Sequence, residues 1–256
     1  MPEGDKIWRT AAALRSRLEG KRVLLARPDA LKRLAGTTVT GVDPVGKHLV
    51  IRFDSGLSLH SHLRMRGAWH VYRPGERWRR PEWQLKALLE TEDAVAICFS
   101  APVVELVRDV GARLGHLGPD MLADDWAAPD VVARARSLGA VAVGELLLNQ
   151  RVTAGIGNVY RCEALWQRRI NPWTPTAALD DQQLAALFET ARAAMRANLG
   201  GDIHRRFPGY DRAAVHARGG RPCPRCGTPI RVRAQGEHAR ATYWCPRCQP
   251  SGTAAL

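Results

Sequence analysis

Long apolar runs are missing from this sequence. None reaches the roughly 18 residues that a membrane-spanning helix needs, and the charged start with Glu3, Asp5 and Lys6 has no hydrophobic segment typical of a secretory signal. Acidic residues are also few, since 25 Asp and Glu face 38 Lys and Arg. The net charge of +13 predicts a polyanionic partner, and nucleic acid is the first candidate. A ribosomal or membrane-surface protein is the alternative, although no cationic amphipathic stretch dominates.

Cysteine is also scarce, with six residues in 256. Four of them form two CxxC pairs near the C-terminus, Cys223, Cys226, Cys245 and Cys248. Eighteen residues separate the pairs, which is the spacing of a four-cysteine zinc ribbon. An all-cysteine tetrahedral site has no open position, so the predicted Zn²⁺ is a single structural ion. Cys98 and Cys162 have no partner at ligand spacing, and we expect them to be buried.

The first half of the chain predicts one helix followed by β-structure. Apolar residues recur at helical spacing over residues 5–18, and Gly20 can end the helix. Short β-type runs follow at residues 23–25, 38–42, 48–53, 57–60 and 95–99, with a hairpin turn at 54–56. We expect a β-sandwich or barrel-like domain that carries an N-terminal helix.

The second half predicts helices and then the cysteine-rich segment. Helical runs cover residues 129–137, 143–149, 158–168 and 180–199, with Asp180 as an N-cap and Gly200-Gly201 at the end of the last run. Residues 201–221 are polar and predict a loop, and residues 230–244 can form a hairpin. The fold class is therefore multidomain α and β, with predicted domains at 1–122, 123–215 and 216–252.

The first residues offer a candidate nucleophile. If Met1 is removed, Pro2 becomes a secondary amine beside the carboxyl group of Glu3. A terminal amine titrates near pH 8, so an appreciable fraction is unprotonated and can attack a sugar or carbonyl carbon to form a Schiff base. Taken alone, a Met-Pro start favours a chain end without a catalytic role, because many chains begin Met-Pro by chance.

A glycine-containing turn offers a candidate phosphate site. Gly155-Ile156-Gly157-Asn158 lies between two predicted helices. It is not a dinucleotide fingerprint, because no strand precedes it and the GxGxxG spacing is incomplete. Its glycines would let backbone N–H groups at a helix N-terminus approach a phosphate, with the Asn158 amide as a further donor. A turn that only connects two helices is the alternative.

Together these motifs resemble the formamidopyrimidine-DNA glycosylase and endonuclease VIII family. The matching segments are the MPEG start, Gly46-Lys47, Asn149-Gln150 before the glycine turn, and RATYWCPRCQ at residues 240–249. They span nearly the whole chain in family order. Gly4 resembles the bacterial endonuclease VIII branch, because the purine-specific relatives usually have leucine there. The resemblance implies a β-sandwich catalytic domain with an N-terminal helix, a helix-two-turn-helix domain and a zinc finger.

The resemblance also implies catalytic roles. Pro2 would attack C1′ of the damaged nucleotide and form a Schiff base. Glu3 would protonate the departing sugar oxygen, and a general acid of this kind works best with a raised pKa. Lys47 would hold a phosphate or assist proton transfer at the sugar. Without the family pattern, Lys47 is one of many basic residues on a solvated face.

Further residues match the DNA-binding positions of the family. The wedge that fills the space left by a flipped nucleotide corresponds to Met65, with Arg64 and Arg66 beside it. A buried core methionine is the alternative. Asn158 from the helical domain and Arg240 from the ribbon match residues that bind the phosphates flanking the lesion.

The sequence alone does not decide the roles of two groups of residues. Arg77, Arg79 and Arg80 around Trp78 either extend the basic cleft or form a solvated loop. His60 and His62 suggest a metal pair, but alternation along one strand face is the simpler interpretation.

Three departures from the family pattern limit the resemblance. Asp5-Lys6 stands where the family commonly has Pro-Glu. The region corresponding to the loop that probes the opposite strand in the purine-specific branch, residues 100–109, contains no aromatic residue. The loop at residues 201–221 looks short. In relatives that recognise oxidised purines, the corresponding loop closes over the lesion.

The expected function is that of a bifunctional DNA glycosylase and abasic-site lyase of base excision repair. Oxidised pyrimidines are the expected bases, and oxidised purines are the alternative with the same mechanism. A zinc-ribbon protein that binds damaged or abasic DNA without catalysis is the competing class. The expected partner is double-stranded DNA, bound by a monomer in the bacterial cytoplasm at the nucleoid.

Overall fold

The computed structural model describes residues 2–200, 207 and 212–251. The chain divides into two compact units, Met1–His116 and Leu117–Leu256. The predicted division into three domains, with the helical and cysteine-rich segments separate, stays a prediction. Within the described residues, no helix combines the length and the apolar composition needed to cross a membrane.

Helix α1 (Gly4–Leu18) opens the first unit. Its buried face contains the four apolar residues at helical spacing, Ile7, Ala11, Leu14 and Leu18, which return to one side because the helix has 3.6 residues per turn. Gly20 follows with a φ of +76°, a left-handed conformation that glycine adopts without steric cost. The predicted helix and its buried face are confirmed.

The described part of the first unit contains two four-stranded antiparallel sheets. The strands are β1 (Leu25–Arg27), β2 (Val39–Val45), β3 (His48–Phe53), β4 (Ser58–His62), β5 (Ala68–Tyr72), β6 (Leu85–Glu90), β7 (Val95–Phe99) and β8 (Val103–Val107). One sheet has the order β2-β3-β4-β8 and the other β1-β6-β7-β5. A short helix, α2 (Val110–Leu114), follows β8.

The main core of the first unit is shared by both sheets and helix α1. Leu49 and Leu59 from one sheet are fully buried with Leu89 and Ala96 from the other. The turn at residues 54–56 joins β3 to β4, and Gly56 has a φ of +74°. The predicted β-sandwich with an N-terminal helix is confirmed, as is its predicted hairpin turn.

Three strands of the sandwich lie outside the predicted runs, β5, β6 and β8. The sequence of β6, LKALLE, is rich in good helix formers, but it pairs with β1 on one side and β7 on the other. Tertiary pairing therefore overrides local propensity. The first predicted strand is also displaced: β1 begins at Leu25, and Val23 is a buried core residue before it.

The second unit begins with helices. They are α3 (Ala128–Arg136), α4 (Val143–Leu146), α5 (Asn158–Gln167) and α6 (Asp181–Arg196). Asp180 caps α6 through a reciprocal capping box with Gln183, which confirms the predicted start. The predicted end was wrong: α6 stops at Arg196, before Gly200, and Gly201 lies outside the described residues.

The cysteine-rich segment packs against α5 within the second unit. Its hairpin consists of β9 (Arg231–Gln235) and β10 (Arg240–Trp244), as predicted. Cys162 and Trp166 of α5 share a buried cluster with Ile230 and two of the paired cysteines. Because the ribbon and α5 share this cluster, the ribbon supports the helix that follows the glycine turn.

Candidate active site and nucleic-acid interface

Pro2 and Glu3 lie immediately before helix α1. Both residues are buried, and the exposed fraction of Glu3 is 1%. The Glu3 carbonyl oxygen accepts the first backbone hydrogen bonds of the helix, from Lys6 N at 3.0 Å and Ile7 N at 3.1 Å. Glu3 is thus fixed at the N-terminal end of helix α1. Met1 lies outside the described residues.

Lys47 lies in a tight hairpin turn. Val45 pairs with His48, so Gly46 and Lys47 are the two residues between β2 and β3. Gly46 has a φ of +59°, as a two-residue hairpin turn requires. Lys47 is half-buried. The hairpin therefore fixes the backbone position of the lysine that the family pattern singles out.

Met65 is at the tip of the turn between β4 and β5. Its exposed fraction is 64%, whereas the neighbouring Leu63 is 1% exposed. The turn is closed by a 2.9 Å hydrogen bond from Gly67 N to Leu63 O. A side chain at Gly67 would come within 2.5 Å of the same carbonyl oxygen, so only glycine fits. The core-methionine alternative is wrong, and we call residues 63–67 the wedge turn.

A chain of hydrogen-bonded histidines lies beside Lys47. His48 Nδ1 is 2.8 Å from His60 Nε2, and His60 Nδ1 is 2.9 Å from Glu105 Oε1. An ionised Glu105 accepts from His60, which then accepts from His48. Burial is the main cause that lowers the pKa of His48 to about 3, so His48 is neutral at pH 7. Sequence reasoning missed this chain because it joins three strands.

The histidines belong to no group of three or more potential metal ligands among the described residues. Among the described residues, the four paired cysteines are the one group of three or more potential ligands close enough to hold an ion. His60 and His62 lie two residues apart on β4, and both rings stack on or tilt against His48. This arrangement supports the simpler interpretation by strand-face alternation.

Residues 100–109 adopt a different structure from the loop that the family pattern led us to expect. They contain the edge strand β8, which pairs with β4 from Ser58↔Val107 to His62↔Val103. Regular pairing leaves this segment little freedom to reach a second DNA strand, and it carries no aromatic side chain.

The glycine turn between α4 and α5 is held by one side chain. Gln150 accepts from Gly155 N at 3.0 Å and donates to Ile156 O at 3.1 Å. Gly155 has a φ of +114°, and Gly157 is the N-cap of α5. The predicted turn at a helix N-terminus is confirmed, and the backbone N–H groups of α5 begin where the resemblance places a phosphate contact.

Asn158 is tied to the ribbon through Arg161. The Arg161 guanidinium, which is fully buried, donates to Asn158 Oδ1 and, at 2.7 Å, to Thr242 Oγ1 on β10. Asn158 Nδ2 donates to Ala241 O at 2.8 Å. The amide therefore has a fixed orientation, with its oxygen facing the cation. Arg240 is an exposed neighbour at the start of β10, so the structure brings the two predicted phosphate-binding residues onto adjoining elements.

The four paired cysteines have the geometry of a closed metal site. Their ligand atoms lie within 4.8 Å of one another. The Sγ–Sγ distances are 3.9 Å for Cys223–Cys248, 3.4 Å for Cys226–Cys245 and 3.5 Å for Cys226–Cys248. Thiolates about 2.3 Å from a tetrahedral zinc ion are about 3.8 Å apart. The residues fit one structural Zn²⁺, which all four would hold.

The two remaining cysteines are buried, as predicted. Cys98 and Cys162 have no exposed surface. Burial raises the pKa of Cys162 to about 11 and raises the pKa of Cys98 further. Both thiols are therefore protonated at neutral pH and behave as small apolar side chains.

Glu163 is a structural residue that no sequence signal marked. Its carboxylate accepts three backbone hydrogen bonds, from Ala214 N at 2.7 Å, Val215 N at 3.0 Å and His216 N at 2.8 Å. Burial raises the pKa of this carboxyl, and the three N–H donors oppose that shift. Glu163 thus anchors on α5 the segment that leads into the ribbon. Residues 201–206 and 208–211, in the predicted loop, lie outside the described residues.

Three family models match the chain in order. The formamidopyrimidine-DNA glycosylase N-terminal domain matches residues 1–102, the formamidopyrimidine-DNA glycosylase H2TH domain matches residues 117–206, and the zinc finger found in FPG and IleRS matches residues 220–250. Probable endonuclease 8 2 of Streptomyces coelicolor is 41% identical over 97% of this chain and 94% of its own. The chain belongs to the formamidopyrimidine-DNA glycosylase and endonuclease VIII family.

Other members of the family give the same assignment. The protein named DNA-(apurinic or apyrimidinic site) lyase Nei2 of Mycolicibacterium smegmatis is 39% identical over 97% of this chain and 99% of its own. The crystal structure of Lactococcus lactis Fpg with N7-benzyl-Fapy-dG containing DNA has a TM-score of 0.82 and 23% identity, and the match covers 98% of this chain and 100% of that one. The latter similarity shows the shared fold.

Membership of the glycosylase and endonuclease VIII family defines the activity class. The chain is a DNA glycosylase and abasic-site lyase of DNA repair, it binds DNA, and its zinc finger holds one structural Zn²⁺. The competing hypothesis of a DNA-binding protein without catalysis is therefore wrong.

Proposed function

We propose that this enzyme removes oxidised pyrimidines from double-stranded DNA through a Schiff base on Pro2. The observation that carries the proposal is the placement of Pro2 and a 1%-exposed Glu3 against the rigid N-terminus of α1. In that position a freed Pro2 amine has a carboxylic acid as its fixed neighbour. We further propose that the enzyme acts as a monomer on nucleoid DNA.

In the proposed reaction, the Pro2 nitrogen forms a bond to C1′ of the flipped nucleotide as the bond from C1′ to the base breaks. The base departs with the electron pair of that bond and takes up the proton that the Pro2 nitrogen loses. Glu3 donates a proton to the ring oxygen, so the sugar opens and an iminium joins Pro2 to C1′. Loss of a C2′ proton then expels the 3′ phosphate, which cuts the strand. Lys47, beside the histidine chain, holds a phosphate or moves a proton at the sugar.

Two observations support oxidised pyrimidines over oxidised purines. Relatives named endonuclease 8 2 are 38 to 41% identical to this chain, whereas endonuclease 8 of Escherichia coli is 33% identical and relatives named formamidopyrimidine-DNA glycosylase are 32 to 34% identical. Residues 103–107 form a regular strand without an aromatic residue, so the opposite-strand probe of the purine-specific branch has no counterpart there. Oxidised purines remain the second candidate.

A lesion panel tests this choice. The protein, with Met1 confirmed absent by mass spectrometry, is incubated with matched duplexes that carry an oxidised thymine or 8-oxoguanine, and strand cleavage is followed in single turnovers. We expect the oxidised thymine to be excised at least ten times faster. Faster excision of 8-oxoguanine would contradict the proposed base preference and leave the Schiff-base mechanism standing.

Glu3→Gln should separate base removal from lyase chemistry. A glutamine cannot donate a proton to the ring oxygen, so excision of an oxidised base should fall roughly 10²- to 10⁴-fold, the usual contribution of a positioned general acid. An abasic sugar already opens in water, so borohydride should still trap the variant on abasic DNA. The control is Glu92→Gln at an exposed position of the same unit, with no expected change. Equal loss of trapping and excision would contradict the assigned role.

Asn158→Asp should weaken DNA binding more than Asn158→Ala. The aspartate keeps its contact with Arg161, but it loses the N–H donors, including the one to Ala241 O, and adds a negative charge where we propose a phosphate. We expect a loss of roughly 2 kcal/mol, or about thirtyfold in Kd, for a duplex with an abasic-site analogue.

Gln167→Glu is the matched control for that experiment. It makes the same amide-to-carboxylate change at the exposed far end of α5, where we expect less than about 0.5 kcal/mol. Similar losses for both variants would show a general charge effect and remove Asn158 from the phosphate contact.

A further inference from the structure

The loop that follows β5 is unusually rich in arginine. We call residues 73–81 the arginine loop; it contains four arginines and a single acid, Glu76. The side chain of Glu76 accepts from the backbone N of Arg73 at 3.0 Å. Within the described residues no ion pair joins any of these arginines, or Arg64 and Arg66 of the wedge turn, to an acidic group. Six unneutralised guanidinium groups therefore belong to two adjoining segments.

Specific contacts fix the arginine loop to the sheet. Arg79 N donates to the Tyr72 hydroxyl at 3.1 Å, and that hydroxyl is 2.9 Å from His70 Nδ1. The Trp78 ring packs edge-on against Phe99, with ring centroids 6.3 Å apart. The backbone is held in place while the side chain of Arg79 stays exposed.

The arginine loop also contacts the wedge turn directly. Arg80 Nη1 donates to Arg66 O at 3.3 Å, one residue beyond the exposed Met65. The cations of the loop and the turn therefore form one continuous surface. A duplex whose flipped nucleotide is replaced by Met65 would bring its backbone phosphates against this surface.

Helix α1 adds a further cation to this surface. Burial lowers the pKa of His70, and the charges of Arg80, Arg79 and Lys6 lower it further. These three cations therefore lie near one imidazole. Lys6 is exposed in the first turn of α1, three residues from Glu3, and it stands where the family pattern commonly has glutamate. The surface thus extends from the wedge turn to the helix that follows the proposed nucleophile.

We propose that Lys6, Arg66, Arg79 and Arg80 form a phosphate-binding surface that holds the DNA backbone beside the wedge turn. This inference rests on the proposed function, because it needs Met65 to act as the wedge. Four cations contact phosphates and read no base, so the surface supplies affinity and register without sequence preference.

The salt dependence of DNA binding tests the surface. The zinc-loaded protein is titrated against a duplex that contains a tetrahydrofuran abasic analogue. Fluorescence anisotropy gives the Kd at a series of KCl concentrations from 50 to 200 mM. Each lost phosphate contact reduces the slope of log K against log salt by about 0.9. For Arg79→Gln/Arg80→Gln we expect a slope shallower by about 1.8, so the loss of affinity across this range should be about tenfold smaller than in the parent.

The matched control is Lys32→Gln/Arg33→Gln. These residues form another adjacent pair of exposed cations in the same unit, and their removal changes the net charge equally. We expect their slope to stay within about 0.3 of the parent, because distant charges are screened. Equal slope changes for both pairs, or an unchanged slope for the arginine pair, would overturn the proposal.

Single variants keep the test valid if the double variant folds poorly. The side chain of Arg79 makes none of the anchoring hydrogen bonds described above, so Arg79→Gln alone should reduce the slope by about 0.9. Arg80→Lys keeps the charge and should retain the parent slope.

Borohydride trapping of the parent on abasic DNA is measured in parallel. Failure of the parent to trap would contradict the proposed Schiff base, whereas the slopes alone decide whether the surface binds phosphate.

Discussion

A form of the protein that keeps a residue in front of Pro2 should lose base removal and strand cleavage together. With Met1 attached, the Pro2 nitrogen belongs to an amide, and its lone pair is delocalised into the carbonyl group. It can then neither attack C1′ nor form an iminium. Loss of a covalent nucleophile costs about 10³-fold or more in rate. We expect borohydride trapping on abasic DNA to disappear within detection.

The experiment compares two proteins that differ only in where residues are added. One carries a leucine between Met1 and Pro2, which prevents removal of the initiator methionine. The other carries a single additional leucine at the C-terminus and should trap as the parent does. Binding to an uncleavable abasic analogue is measured for both, and we expect at most a small change. Trapping of the N-terminally extended protein at the parental rate would exclude Pro2 as the nucleophile.

Peptide mapping of the trapped adduct gives an independent answer. We expect the reduced sugar on the N-terminal peptide, attached to the Pro2 nitrogen. An adduct on Lys47 would identify that lysine as the nucleophile and reassign Pro2. Because Lys47 lies in the β2–β3 turn and Pro2 before α1, a protease that cleaves between them separates the two outcomes.

Loss of zinc should abolish DNA binding through helix α5 as well as through the ribbon. Cys223 lies in the same buried cluster as Cys162 and Trp166 of α5. Arg225 lies 4.0 Å over the Trp166 ring and donates to Trp166 O at 3.1 Å. Structural zinc contributes on the order of 10 kcal/mol to folding of small zinc modules. The cluster should therefore disorder without the metal.

Cys223→Ser tests this expectation. The zinc content, measured by atomic absorption, should fall from one ion to none per chain. The Kd for an abasic-analogue duplex should increase at least about a hundredfold. The reason is that Arg161 and Asn158 contact Thr242 and Ala241, which belong to the ribbon hairpin. Cys98→Ser, at a buried cysteine of the first unit, should keep its zinc and its affinity. Unchanged DNA binding by the zinc-free protein would show that the helical turn suffices.

Local sequence patterns predicted the elements whose stability comes from neighbouring residues. The 3.6-residue recurrence of apolar side chains predicted α1, the Asp54-Ser55-Gly56 turn predicted the β3–β4 hairpin, and the two CxxC pairs predicted the zinc site. Each depends on short-range spacing that the chain itself displays. The same patterns failed for β6, because its helix-favouring residues form a strand only between two partners.

The sequence by itself determined the family, the structural zinc ion and the candidate nucleophile, because these follow from residue types at fixed spacing. Tertiary structure alone decided how the amide of Asn158 is oriented by Arg161 and Ala241, and that Lys6 and Arg80 lie near the same histidine. Those partners lie up to 83 residues apart in the chain. Contacts of that range leave no periodic signal in a single sequence, and they form only when the core brings distant strands and helices together.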